Sequence, residues 1–365
     1  MKLSKVTMLT LAGLMASASA PVFANGELNI YNWSDYIAED TIANFEAETG
    51  IKVVYDVYDS NEVLEAKMLA GSSGYDLVVP TADFLARGLE SGAYGTLDLG
   101  RIANVGNQNA VIQDEANGMV GIDNAGLVYM WGTTGVAYNV DMVAERLGDD
   151  APTNSWALVL DPQYASKLAD CGIAILDAPT DVLPNVMAYL GKDGRSQDAD
   201  DIQAAGEVLN AVRPYLRYIH SSQSINDIAN GELCAAIMWS GDAFQAAYRA
   251  EDADNGQTID YVIPDEGTNM WFDMFALPVD AKNVDNAYKF IDYMLRPDVA
   301  ANNVNYVWYA SGNEAANPMI DPEVLSHPGI YPTDAARQKL FVVPVYDAKT
   351  DRVVNRTWSR FTAGN

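Results

Sequence analysis

Across residues 28–83 the chain alternates short apolar strands with amphipathic helices, and this order limits the folds open to it more than any other feature. Residues 28–31 alternate as a strand. Residues 39–49 carry helical spacing through Ile42, Phe45 and Thr49, with Gly50 as a stop signal. Residues 51–57 form the next strand, and Asp59 with Glu62 three residues on predicts a capping box. That box opens a helix through Val63, Leu64, Met68 and Leu69 that stops at Gly71, and the strand Asp76-Leu77-Val78-Val79 follows. The pattern predicts an α/β fold with a mostly parallel, doubly wound sheet, in which ligands sit outside the carboxyl ends of the strands.

Those ends carry aromatic rings and carboxylates. The first strand runs into Trp33-Ser34-Asp35-Tyr36, and the third into Pro80-Thr81-Ala82-Asp83. The arrangement recurs downstream, where a strand over 171–176 leads to Asp177-Ala178-Pro179-Thr180-Asp181. Another over 233–238 leads to Trp239-Ser240-Gly241-Asp242, with a helix opening near Ala243. Residues 270–276 read as an apolar strand interrupted by Asp273, and an acid there is costly to bury without a partner. Aromatic faces and carboxylates are the groups that hold organic cations, so Trp33, Tyr36, Trp239, Trp271 and Tyr309, with Asp35, Asp181, Asp242 and Asp273, form a candidate cation site. Elsewhere, 191–201 reads as a loop, 204–212 as an amphipathic helix and 284–295 as a helix. The tail beyond Ser311, with Pro318, Pro322, Pro328, Pro332 and Pro344, reads as irregular.

Residues 1–24 read as an export signal: Lys2 and Lys5 precede an apolar run over 6–16, and cleavage is expected after Ala24, with Ala20 as the alternative. The run is too short to span a bilayer, and no Cys near the cleavage point could carry a lipid, so a free, soluble, exported protein is expected. Cys171 and Cys234 are the two cysteines, and in an oxidising compartment they are expected to pair. The formal charge of −28 becomes −30 once Lys2 and Lys5 leave with the signal. Such a surface repels nucleic acid and anionic lipid and draws cations toward a cleft. Runs such as Gln197-Asp198-Ala199-Asp200-Asp201 read as solvated faces. The remaining length of about 340 residues predicts two lobes.

Enzymatic motifs are poor. His220 and His327 are the only histidines and sit in no metal or nucleophile context. Gly71-Ser72-Ser73-Gly74 lacks the lysine and spacing of a phosphate loop, and Asp252-Ala253-Asp254-Asn255-Gly256 lacks the closing glutamate of a calcium loop. Two rivals stay open on the residues alone. One is an exported hydrolase using an Asp pair as acid and base; the other is the same fold holding a metal ion or another cation such as agmatine, cadaverine or thiamine.

Six stretches, in order, carry a resemblance: Tyr31-Asn32-Trp33-Ser34-Asp35-Tyr36, Gly74-Tyr75-Asp76-Leu77-Val78-Val79-Pro80, Tyr129-Met130-Trp131-Gly132-Thr133-Thr134-Gly135-Val136, Leu176-Asp177-Ala178-Pro179, His220-Ser221-Ser222-Gln223 and Leu295-Arg296-Pro297-Asp298-Val299. Over essentially its full length the chain resembles the periplasmic polyamine-binding proteins of bacterial ABC importers, of the putrescine-binding type with the spermidine-binding type as its relative. The resemblance implies a two-lobed type II periplasmic-binding-protein fold, each lobe a central, mostly parallel sheet flanked by helices. Lobe 1 would take 25–132 and 262–306, and lobe 2 would take 133–261 and 307–365. It implies a monomeric periplasmic receptor, not an enzyme, with no cofactor or metal. Its partners would be a polyamine, putrescine and/or spermidine, and an inner-membrane ABC permease. The ligand positions implied are Trp33, Ser34, Asp35, Tyr36, Thr81, Asp83, Asp181, Trp239, Asp242, Trp271, Asp273 and Tyr309, and the implied disulfide is Cys171 to Cys234. Against the putrescine type, Thr81 replaces Ser, Asp181 replaces Glu, Asp83 replaces an uncharged residue and Trp271 replaces Phe. Trp271 is similar to the spermidine type, whereas Ser34 and Ala178 are similar to the putrescine type.

Overall fold

The computed structural model describes residues 26–364. The export signal expected over 1–24 lies outside these residues.

The first strand, Glu27–Trp33, is the centre of a parallel three-stranded sheet, flanked by Lys52–Tyr58 and Leu77–Val78. Its alternating side chains bury Leu28 and Ile30 completely, as a half-buried strand requires. The helix between the first two strands, Thr41–Thr49, ends at Gly50 with φ 72°, the left-handed conformation glycine adopts freely. The next helix, Asn61–Leu69, corrects the expected capping box. Its cap is Ser60, whose extended backbone lets the hydroxyl accept from the Val63 N–H, and Asp59 takes no part.

Two antiparallel bridges, Val78 to Ala276 and Thr81 to Asp273, join this sheet to the strand Thr268–Phe275. That strand pairs with Leu127–Asn139, thirteen residues that are all buried. The longer strand has no alternating pattern in the sequence, because burial on both faces erases the alternation that marks a surface strand. Residues 127–133 pair with Thr268–Phe275, whereas Thr134 to Tyr138 pair with Ala235–Trp239. One strand therefore runs through both halves of the molecule.

In the second half, Ala235–Trp239 lies parallel to Ile173–Ile175, which lies parallel to Tyr218–Ile219. Helices Pro179–Tyr189, Ala199–Val212 and Ala348–Ala363 pack on one another beside this sheet. Two expectations are corrected here. The middle helix starts at Ala199, inside the stretch read as a loop, because Asp198 caps it through the Asp200 N–H and the acidic run occupies the first turn, where the helix dipole favours negative charge. The tail beyond Ser311 is not irregular throughout. Its last sixteen-residue helix is capped by Asp347 and buries Val353, Val354, Thr357, Trp358 and Phe361 on one face. Among the described residues no helix is long and apolar enough to cross a membrane.

The expected disulfide forms. Cys171 and Cys234, with Cα atoms 5.6 Å apart, link the approaches to two neighbouring parallel strands. The two cysteines are 63 positions apart, so the bond restrains the unfolded state by about 4 kcal/mol in the chain-entropy model. Reduction, or replacement of both cysteines by alanine, is expected to lower the free energy of urea unfolding by about 2 to 4 kcal/mol. An unchanged unfolding midpoint contradicts this.

Candidate functional site

The two halves face each other across a slot with about 650 Å³ of empty space, counting its mouth. Trp33 stands at the end of the first strand, its indole N–H donating to the Val79 carbonyl at 2.9 Å. This fixes the ring edge-on to Trp239 of the opposite half, with centroids 5.4 Å apart. Tyr36, three residues on, donates its hydroxyl to Asp273 at 2.9 Å. Thr81 donates to the other Asp273 oxygen at 2.8 Å, because the backbone bridge sets the two residues opposite each other. Asn61 in turn holds Thr81, donating to its hydroxyl at 2.7 Å and accepting from its N–H at 3.1 Å.

Asp242 lies in the first turn of helix Ser240–Asp252 and accepts from the Tyr309 hydroxyl at 2.6 Å. That ring can approach only because residue 241 is glycine: a Cβ there would sit 2.3 Å from it. Asp181 accepts from Asn269 at 2.6 Å, from the Trp239 indole at 3.2 Å and from Thr134 at 3.3 Å. Asp83, in the first turn of helix Ala82–Glu90, also reaches the slot.

Eleven of the twelve residues expected at the site line the slot, and Asp35 does not. Its backbone is in the left-handed region at φ 53°. Its carboxylate instead pairs with Arg249 of the opposite half at 2.7 Å. Ser34 approaches Ser222 at 3.1 Å, and Gln245 donates to the Asp35 carbonyl at 3.3 Å. The residues not legible in the sequence are the neutral donors Asn61, Thr134 and Asn269 and Arg249, which pairs with Asp35. Asn269, one residue before the predicted strand 270–276, carries no signal that separates it from any other asparagine.

Among the described residues, four carboxylates and five aromatic rings line the slot, and no Lys, Arg or His does. Burial pushes the Asp273 carboxyl up to about 8, against the hydrogen bonds from Thr81 and Tyr36 that favour its charged form. Burial likewise pushes Asp242 to about 7, opposed by Tyr309. Asp83 is raised to about 7 by burial and then by the charge of Asp181, and Asp181 is raised by burial despite its three donors. Desolvated acids of this kind regain their charge when cationic groups arrive beside them. The slot is thus built to complement an extended molecule with an apolar body and more than one positive charge.

A family model described as bacterial extracellular solute-binding protein matches residues 40–332. The chain belongs to that family. Among its relatives, the putrescine-binding periplasmic protein PotF of Escherichia coli (strain K12) is 49% identical, covering 97% of this chain and 96% of its own. The spermidine/putrescine-binding periplasmic protein of the same strain is 32% identical over 89% of each chain. The solved structure of PotD, the substrate-binding protein of a spermidine/putrescine ABC transporter from Streptococcus pneumoniae, superposes with a TM-score of 0.73. It is 27% identical and covers 93% of this chain and 99% of that one. The family's two-lobed α/β architecture is the one described above.

Proposed function

We propose that this chain is a periplasmic receptor that captures a polyamine between its lobes and delivers it to an inner-membrane ABC permease, acting as a monomer and catalysing no reaction. The observation that carries the reading is the slot lined by four acids and five aromatic rings with no base. The names of the relatives agree with it. The ligand residues are Trp33, Ser34, Tyr36, Thr81, Asp83, Asp181, Trp239, Asp242, Trp271, Asp273 and Tyr309. The alkyl chain lies against the rings, and the ammonium groups meet the carboxylates. Lobe 1, over 25–132 and 262–306, contributes Trp33, Tyr36, Thr81, Asp83, Trp271 and Asp273. Lobe 2, over 133–261 and 307–365, contributes Asp181, Trp239, Asp242 and Tyr309. A ligand that touches both groups favours the closed arrangement over an open one.

Melting curves across putrescine, cadaverine, spermidine, agmatine and thiamine test the reading. A ligand at a hundred times its Kd stabilises by about 2.7 kcal/mol, which is several degrees in a protein of this size. Shifts are expected for polyamines, with the compounds recovered unchanged by mass spectrometry. Shifts confined to thiamine, or cleavage of any compound, argue against it.

In this account Asp35 and Arg249 latch the closed mouth rather than bind ligand. The pair is one-third exposed and therefore worth about 0.2 to 1 kcal/mol. Arg249→Ala is expected to speed polyamine release by about two- to fivefold in stopped-flow tryptophan fluorescence, with association little changed. Equal release rates in variant and parent count against the latch.

A further inference from the structure

The four carboxylates are not equivalent. Asp242, Asp273 and Asp181 each have neutral side-chain donors that orient them. Among the described residues Asp83 has none: it is 8% exposed, lines the slot, and has its charge favoured only by Arg87 and by the backbone N–H groups at its own helix start. Arg87, one turn on from Asp83, is committed to Glu65 at 2.9 Å and to Asp351 at 3.2 Å.

Glu62 adds to this imbalance. The Asn61 to Thr81 hydrogen bonds tie together the starts of helices Asn61–Leu69 and Ala82–Glu90, which brings Glu62 and Asp83 into one neighbourhood. One Glu62 oxygen is buried without a hydrogen-bond partner among the described residues. The charges of Asp181 and Asp83 both reach Glu62 and raise its carboxyl, after burial, to about 7.

The acids are also distributed unevenly along the slot. Tyr36, bonded to Asp273, and Tyr309, bonded to Asp242, meet edge-on at 5.0 Å, so two rings stand between those carboxylates. Thr81, which donates to Asp273, precedes the helix that carries Asp83, and Asn269, which donates to Asp181, lies on the same strand as Asp273. Asp242 is thus held on the Tyr309 side of the ring pair, whereas Asp273, Asp181 and Asp83 are linked through Thr81 and the strand Thr268–Phe275, with Glu62 at the neighbouring helix start. A diamine supplies two positive charges and leaves Asp83 without an ammonium partner in the slot, with Arg87 already shared between Glu65 and Asp351, which is unfavourable in a desolvated site.

We propose that Asp83, supported by Glu62, is a further cation subsite that takes a third ammonium group, so that the receptor prefers a linear triamine to a diamine. The inference rests on the polyamine reading and narrows it to a substrate class. Specificity here comes from the mismatch a shorter ligand leaves behind rather than from an added contact alone.

Calorimetry with spermidine and putrescine on the full chain, on Asp83→Asn and on Glu62→Gln tests it. The parent is expected to bind spermidine at least tenfold more tightly than putrescine. Asp83→Asn is expected to reduce that preference at least tenfold, and Glu62→Gln to reduce it by a smaller factor in the same direction. A parent that binds putrescine as tightly as spermidine overturns the proposal, as does an Asp83→Asn variant that keeps the parental ratio. The parental ratio alone decides the matter if a variant fails to fold. If neither amine binds the parent, the polyamine reading fails as well, an outcome distinct from the other two.

Discussion

Asp273→Asn is expected to weaken polyamine binding at least tenfold while leaving the ligand-free protein as stable as the parent or more so. The carboxylate sits in an all-buried strand, with Thr81 and Tyr36 donating to its two oxygens. In the complex it offers an ammonium a charge-assisted hydrogen bond, and truncating a buried charged partner costs about 2 to 5 kcal/mol of binding. Tenfold corresponds to about 1.4 kcal/mol, so the stated bound is conservative. Without ligand the same charge is a burden, since burial pushes its carboxyl up to about 8. Asparagine carries no charge to desolvate, and it still accepts one of the two hydrogen bonds. Asp242→Asn is expected to act the same way through Tyr309. Calorimetry with putrescine and spermidine, read beside thermal melts of the free proteins, checks both halves. Unchanged affinity in both variants would remove the carboxylates from the account.

The second large effect is on pH. Asp83 and Asp242 stand at about 7 and Asp273 at about 8, all raised from an ordinary value of 3.8 chiefly by burial. Between the ordinary and raised values the folded protein binds more protons than the unfolded chain. The stability these acids contribute is therefore fully present below about pH 4 and is lost as pH rises through about 7 to 8. Ligand binding has the opposite dependence. Primary ammonium groups with pKa near 10 stay charged across this window, whereas the acids must ionise to meet them. Affinity is thus expected to rise from pH 5.5 to 8.5, approaching tenfold per pH unit for each proton released. Calorimetry at pH 5.5, 7 and 8.5, in buffers of different ionisation enthalpy, measures both the affinity and the proton count. A flat profile with no proton release would mean that the carboxylates are already charged in the free protein.

The same physical terms explain what the sequence revealed. Asp242 and Asp273 were legible because an acid at the end of an apolar strand, or within one, has few structural uses. Trp33, Trp239 and Trp271 were legible as aromatic residues at or beside the same strand ends. Cys171 and Cys234 followed from compartment and number. Sequence position puts Asp35 at the strand end but does not show its left-handed backbone, nor the partner Arg249 lying 214 positions away. Asn61, Thr134 and Asn269 were invisible because neutral donors act through tertiary contacts that leave no local pattern. The strand Leu127–Asn139 was hidden by burial on both faces. The final helix, Ala348–Ala363, was obscured by the prolines before it, although its apolar face was present in the sequence.

The central claim is that the acid-lined slot is a polyamine site, and titration of the purified parent protein with spermidine and putrescine by calorimetry at pH 8 tests it most directly. The account predicts saturable binding of one ligand per chain, with the amine recovered chemically unchanged. No saturable heat with either amine, or recovery of a cleaved product, would contradict it.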